Sequence, residues 1–431
     1  MIRLDTGEAG FAAAFDELVD ARRESDADVA RDVQVILRAV RDDGEAAVAA
    51  FTKQFDGHDL AETGWRIEPA DCRAAYEALE PELRAALDLA AARIRAYHEK
   101  QKPTDTDYVD AQGVRLGARW TAVDAAGLYV PGGRAAYPSS LLMNAIPAKV
   151  AGVERLVMVT PTPKGEINHL VLAAAHLAGV DEVWRIGGAQ AIGALAYGAG
   201  RIQRVDVVTG PGNAWVAEAK RQVYGMVGID MVAGPSEIVV VADGKNDPDW
   251  IAADLLSQAE HDTVTQSILF TDDADFATRV AEAVDRQIPE LATASVARTA
   301  WDANGAIIVV DSLEAAMPLV DRLAPEHLEL AVDDPQSLFD RLRHAGSVFL
   351  GRHTPEAIGD YVAGPNHVLP TGRRARFASG LSVLDFMKRT SFLGLTETAL
   401  AELGPATVAL AHAEGLPAHA KSVALRLRLN R

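Results

Sequence analysis

The sequence predicts an α/β protein of two parallel-sheet units, with small helical appendages at the amino and carboxyl ends. Three observations carry this reading. Apolar runs alternate with helical patterns from Val153 to Arg221. A second series of apolar runs, at 238–241, 267–270, 306–310 and 347–350, repeats the alternation. Before both lies a stretch of ~100 residues whose apolar positions recur at helical spacing. Strand-helix alternation of this kind specifies a parallel sheet with crossover helices.

In chain order, segments 28–51 and 81–99 carry apolar residues at three- and four-residue steps with charges between them, the mark of amphipathic helices. Composition shifts near Pro103. Residues 108–130 alternate polar and apolar and contain Gly113, Gly117 and Gly127, as short strands with turns do. Leu156-Val157-Met158-Val159 reads as a buried strand, followed by a helix over 168–177. The strand 182–186 ends at Gly187-Gly188, and a helix follows over 189–197. The strand 205–208 runs into Thr209-Gly210-Pro211-Gly212 and a helix through Arg221. The tail from about Ser382 reads as helical. The expected division is a helical segment 1–25, a larger α/β domain of 26–106 plus 237–381, a second α/β domain of 107–236, and a helical tail 382–431.

Composition excludes several classes. The 431 residues carry a net charge of −19, which repels phosphate backbones and opposes nucleic acid as a partner. The apolar stretch at 170–180 is interrupted by His176 and falls short of the ~18 residues of a membrane span. The amino terminus shows neither the basic head nor the apolar run of a secretory signal. A single cysteine, Cys72, forms no internal disulfide and fits a reducing compartment, so a cytoplasmic location is expected. The lone thiol also rules out a zinc site built from several thiolates.

The dinucleotide fingerprint GxGxxG is absent; in Gly210-Pro211-Gly212-Asn213-Ala214-Trp215 a Trp stands where the third Gly belongs. Gly187-Gly188-Ala189-Gln190 occupies an equivalent strand-to-helix junction. Such loops expose backbone amides to a phosphate, but tight turns need glycine whatever binds. The loop Tyr129-Val130-Pro131-Gly132-Gly133-Arg134 suits a lid over a nucleotide and equally a plain surface loop.

Of the eleven histidines, seven (His58, His98, His169, His176, His344, His353 and His412) have no partner in the sequence and read as surface or core residues. Gln258 and His261 differ. They lie three apart on a helix opened by Asp247-Pro248, so they share a face. With Asp360, at the end of a short helix opened by Thr354-Pro355, and His419 in the tail, they would form a mixed nitrogen/oxygen metal site. Spacing alone leaves that set open. Glu326-His327, after Ala324-Pro325, offers two adjacent proton-transfer groups or an exposed turn.

Seven segments then occur in a fixed order: Gly127-Leu128-Tyr129-Val130-Pro131-Gly132-Gly133, Gly187-Gly188-Ala189-Gln190-Ala191-Ile192, Thr209-Gly210-Pro211-Gly212-Asn213, Gly234-Pro235-Ser236-Glu237, Gln258-Ala259-Glu260-His261, Pro325-Glu326-His327, and Gly364-Pro365-Asn366-His367-Val368-Leu369-Pro370. Together they resemble the histidinol dehydrogenase family over nearly the whole chain. The resemblance implies two Rossmann-like, aldehyde-dehydrogenase-like domains and a homodimer. It also implies one zinc ion per subunit and oxidation of L-histidinol through L-histidinaldehyde to L-histidine with NAD. It assigns the metal to Gln258, His261, Asp360 and His419, and proton transfer to Glu326 and His327. Substrate contacts fall to Ser236, His367 and Glu414 beside the metal ligands and His327. NAD contacts fall to Tyr129, Gln190 and Asn213. The tail carrying Glu414 and His419 is expected to cross to the partner subunit, so that the active sites are shared.

A cysteine route through a thiohemiacetal is disfavoured, because Cys72 lies in an alanine-rich helical stretch remote from every motif. Three other readings remain at this point: a related dehydrogenase for another small polar alcohol, including sulfonated ones; a zinc hydrolase; and a non-enzymatic nucleotide-binding scaffold. A carboxylate at Glu414 suits an amino alcohol and opposes an anionic one.

Overall fold

In the computed structural model, residues 1–21, 27–132, 137–232 and 234–427 are described. Gly133 and Arg134 of the glycine loop after Tyr129 lie outside them. The chain divides into two compact units, residues 1–101 with 124–386, and residues 102–123 with 387–431.

The first unit holds two six-stranded sheets, and both have the strand order of a doubly wound fold. In the first sheet the order is Arg66–Ile67, Glu182–Trp184, Arg155–Val159, Ala125–Tyr129, Val207–Thr209, Gly228–Ile229. All neighbours are parallel except Arg66–Ile67, which runs antiparallel to Glu182–Trp184. In the second the order is Ile2–Asp5, Ala306–Val309, Gln266–Thr271, Glu237–Ala242, His327–Ala331, Ser347–Leu350, parallel throughout. Each sheet reverses direction beside its first long strand. These reversals fall between Ala125–Tyr129 and Val207–Thr209, and between Glu237–Ala242 and His327–Ala331. The central strands are buried on both faces, as the unbroken apolar runs require. The helices begin where capping chemistry allows. Asn213 accepts from the Trp215 and Val216 amides ahead of Ala214–Val223, and Asp247 accepts from Asp249 ahead of Pro248–Ala259.

Several expectations change. In place of a helical segment at 1–25, Ile2–Asp5 is an edge strand of the second sheet and Phe11–Asp20 a helix. In place of the grouping of 26–106 with 237–381, the early helices cover the first sheet. Ala27–Asp43 and Glu45–Asp56 pack on Gly188–Tyr197, while Pro69–Glu77 and Pro81–Glu99 pack on His169–Ala178 and Pro138–Ala151. Amphipathicity shows that a helix has a buried face but not which sheet receives it. Gly44, with φ 55°, breaks the expected 28–51 helix in two. Finally, the tail is not helical throughout. Met387–Gly394 is a strand pairing antiparallel with Arg115–Ala122, which also pairs with Thr106–Val109. These three strands, with helices Glu397–Ala413 and Pro417–Arg426, make up the second unit, so the strands expected in the 107–236 domain are divided between units.

Candidate active site

The second sheet reverses direction between Glu237–Ala242 and His327–Ala331, and the chemistry gathers at the amino-terminal ends of those strands. Both backbone groups of Glu237 hold the Glu326-His327 pair. Its N–H donates to Glu326 Oε2 at 2.9 Å, and its carbonyl lies 3.0 Å from His327 Nδ1. A carbonyl can only accept, so His327 carries its proton on Nδ1 and keeps the Nε2 lone pair. Nε2 is buried and has no hydrogen-bond partner. It lies 3.6 Å from Glu356 Oε1. Ser236, half-buried, ends the segment leading into Glu237, and its carbonyl accepts from the Gln266 amide at 3.1 Å.

Two helices deliver the remaining groups. Pro248–Ala259 carries Gln258, buried near its end, and His261 follows exposed, its N–H bonded to the Gln258 carbonyl at 3.1 Å. Glu356–Tyr361 carries Glu356 and Asp360 four residues apart on one face. His327, Glu356 and Asp360 each place one ligand atom within 4.8 Å of the others. Glu356 is held by Ser257 Oγ, which donates to its Oε2 at 2.9 Å, and it also bonds the Gln258 side chain. His367 approaches Asp360, Nδ1 to Oδ1, at 3.6 Å. The segment between them is anchored to the first sheet's helices. Arg93 donates to the Val362 and Ala363 carbonyls at 2.6 and 2.9 Å, and Asn366 to the Met143 carbonyl at 2.6 Å.

Burial sets the electrostatics. It drives His327 down to about 4, so the imidazole is neutral. It pushes Glu326 well above the ordinary carboxylate range, and the charges of Glu237, Asp360 and Glu356 add to the effect against the Glu237 N–H. Glu356 rises to about 8, from burial first and the Asp360 charge second. For Asp360 burial works upward, but the hydrogen bond and charge of His367 prevail and hold it at about 2.

Gln258 Oε1, Glu356 Oε1 and His327 Nε2 are all buried acceptors without hydrogen-bond partners. The unpaired Gln258 oxygen and the ionised Asp360 fit a cation, and an amide oxygen, a carboxylate and imidazoles form a donor set that zinc accepts. Glu356 is the residue that sequence reading missed. Its signal was present, one helical turn before Asp360 in a short helix already singled out.

At the first sheet's reversal, the loops lie at the carboxyl ends of the strands. The Gly188 amide donates to the buried Tyr129 hydroxyl at 3.1 Å. Gln190 is buried on the following helix, its Oε1 without a partner. Asn213 is exposed but caps its helix with its own side chain. Gly210 has φ 113°, and a Cβ there would stand 2.1 Å from the Tyr129 carbonyl oxygen, so only glycine fits.

Glu414 and His419 belong to the second unit. Both are exposed, Glu414 capping Glu397–Ala413 and His419 in the first turn of Pro417–Arg426. Neither His261 nor His419 is part of the His327–Glu356–Asp360 group.

Cys72 is buried in the helix Pro69–Glu77, and burial pushes its thiol up to about 11. A thiol so rarely ionised is a poor nucleophile. Cys72→Ala is expected to leave turnover within about twofold of wild type in a steady-state assay, and a large loss in folded protein would restore the cysteine route.

A family model described as histidinol dehydrogenase matches residues 19–427. The histidinol dehydrogenase of Zymomonas mobilis is 63% identical over 427 residues, 99% of each chain. That of Rhodospirillum rubrum is 61% identical over 427 residues, 99% of this chain and 98% of the relative. A solved histidinol dehydrogenase from Elizabethkingia anophelis, 35% identical, superposes with a TM-score of 0.94 over 100% of this chain and 99% of that one. Full-length identity at this level, on a fold that places Glu326-His327 against Asp360, makes the chain a member of the histidinol dehydrogenase family of oxidoreductases.

Proposed function

We propose that this protein oxidises L-histidinol through L-histidinaldehyde to L-histidine, the closing oxidation of histidine biosynthesis. The observation that carries it is His327. Its Nδ1 is tied to the Glu237 carbonyl, and its buried Nε2 is left unpaired beside Glu356 and Asp360.

Gln258, His261 and Asp360, with His419 from a partner chain, would hold one zinc ion per subunit. When bound, the metal supplies positions for the amino and imidazole nitrogens of the substrate, and NAD accepts the electron pairs. His327 Nε2 takes the hydroxyl proton as the alcohol carbon is oxidised. Glu326, once ionised, draws a proton from the water that adds to the aldehyde; its high pKa makes the carboxylate a strong base for that task. His327 then takes the proton of the hydrated aldehyde in the second oxidation. Ser236 and His367 line the pocket, and Glu414 pairs with a cationic group of the substrate. Tyr129, Gln190 and Asn213 receive the dinucleotide. The orphaned Gln190 Oε1, an acceptor that a hydroxyl or amide of the dinucleotide can satisfy, supports that placement.

The reading includes a homodimer with shared sites in the cytoplasm, with no nucleic acid and no membrane as partner. Among the described residues no helix is long and apolar enough to cross a membrane. A substrate such as a sulfonated diol finds no support, since the full-length relatives compared are named histidinol dehydrogenases. Counting NADH formed per histidine, with zinc-loaded enzyme, tests the proposal. Two is expected. One indicates a simple alcohol dehydrogenase, and none removes the reaction.

A further inference from the structure

Beneath the first sheet's loops lies an ion pair that the chemistry does not use. Lys220, on the helix Ala214–Val223, and Asp230, just after the edge strand Gly228–Ile229, form a salt bridge with side chains only 2% and 1% exposed. A lysine in a helix ordinarily faces water, and burying two charges costs desolvation that an apolar pair avoids. Stability alone gives little reason to keep such a pair.

Its geometry supplies one. Lys220 Nζ donates to the Gly210 carbonyl at 3.0 Å, and Asp230 Oδ2 accepts from the Gly210 amide at 2.9 Å. Both backbone groups of one glycine are therefore held by the two halves of one ion pair. Gly210 in turn presses on the backbone of Tyr129, whose hydroxyl accepts from Gly188. Asn213 lies three residues on. The pair thus underpins the 210–213 loop, which lies against Tyr129. Asp230 Oδ1 also accepts from the Met231 amide at 2.6 Å, fixing the start of the segment that leads to Ser236.

We propose that Lys220 and Asp230 are positioning residues that set the 210–213 loop in the shape that receives NAD. This rests on the cofactor reading above. Neither side chain reaches the surface, so neither touches the cofactor itself.

Lys220→Met keeps the stem and removes the charge. In the zinc-loaded, full-length enzyme it is expected to raise the KM for NAD about tenfold, the scale of one lost charge-assisted hydrogen bond. The KM for L-histidinol and the zinc content stay unchanged. Lys220→Arg, which keeps a cation, recovers part of the loss. Hydrogen exchange without either substrate gives a second readout, with protection over 209–214 falling in Lys220→Met and in Asp230→Asn. An NAD KM within about twofold of wild type overturns the proposal. So does an equal rise in both KM values, the mark of a general defect. If Lys220→Met does not fold, Asp230→Asn carries the same comparison. If wild-type enzyme reduces no NAD, the cofactor reading fails separately, and unchanged exchange in the variants would show that the pair does not fix the loop either.

Discussion

His327→Ala is expected to lower kcat about a thousandfold while the protein stays folded, within the range for removing a positioned general base. The size of the loss depends on which nitrogen is free. The Glu237 carbonyl accepts from Nδ1, so Nε2 alone carries a lone pair, and burial keeps the ring neutral down to about pH 4. His327→Asn is the sharper variant. Its amide can still donate to the Glu237 carbonyl but offers no basic nitrogen, so the loss should match that of alanine. Recovery of most activity in His327→Asn would show that the ring only fills space.

The pH dependence has a definite sign. A group with a folded pKa of about 4 is already in its base form at pH 6, so His327 contributes no change between pH 6 and 9. Glu326 is held well above the usual carboxylate value and accepts a proton only when ionised. The aldehyde-to-acid rate therefore climbs with pH. A rate that falls with pH over this range would contradict the assignment of Glu326 as the base for water.

Asp360→Ala is expected to strip the metal. Asp360, held at about 2 by His367 against its own burial, is the group in the cluster that stays ionised at neutral pH. Without it, the ligands left are Gln258 and His261 with His419 from a partner chain, an amide and two imidazoles with no carboxylate among them, and the neighbouring Glu356 is itself raised to about 8, so little negative charge remains to attract a dication. Zinc affinity should fall at least ~100-fold, read as zinc per subunit after dialysis, with turnover lost in parallel. Chelation followed by added zinc should restore wild type and leave Asp360→Ala inactive. Full zinc occupancy in the variant would remove Asp360 from the ligand set.

Much of this was legible in the residues. The apolar runs at 156–159 and 238–241 read as buried strands because nothing polar interrupts them. The Asp247-Pro248 cap marked its helix start within a residue. Glu326, His327, Gln258 and Asp360 were candidates by type and spacing. Other features were illegible for stated reasons. Met387–Gly394 finds its partner more than 260 positions earlier, and no local pattern announces that pairing. Glu356 looked like an ordinary acid in the first turn of a helix, where acids favour the dipole. Nothing local marks Lys220 as buried, since a lysine in a helix ordinarily faces water.

The buried strands and amphipathic helices of the two sheets were readable locally, because each follows from a periodicity, a cap or a glycine within a few residues; the edge strand Ile2–Asp5 and the strand Met387–Gly394 were not. Which sheet the early helices cover, and that Glu356 joins Asp360 and His327, emerge only in the folded chain. It alone revealed that both ends of Gly210 rest on a buried ion pair. Those outcomes depend on groups far apart in the chain meeting where water is excluded. There a lone pair without a donor, or a charge without solvent, acquires an energy that no local pattern encodes.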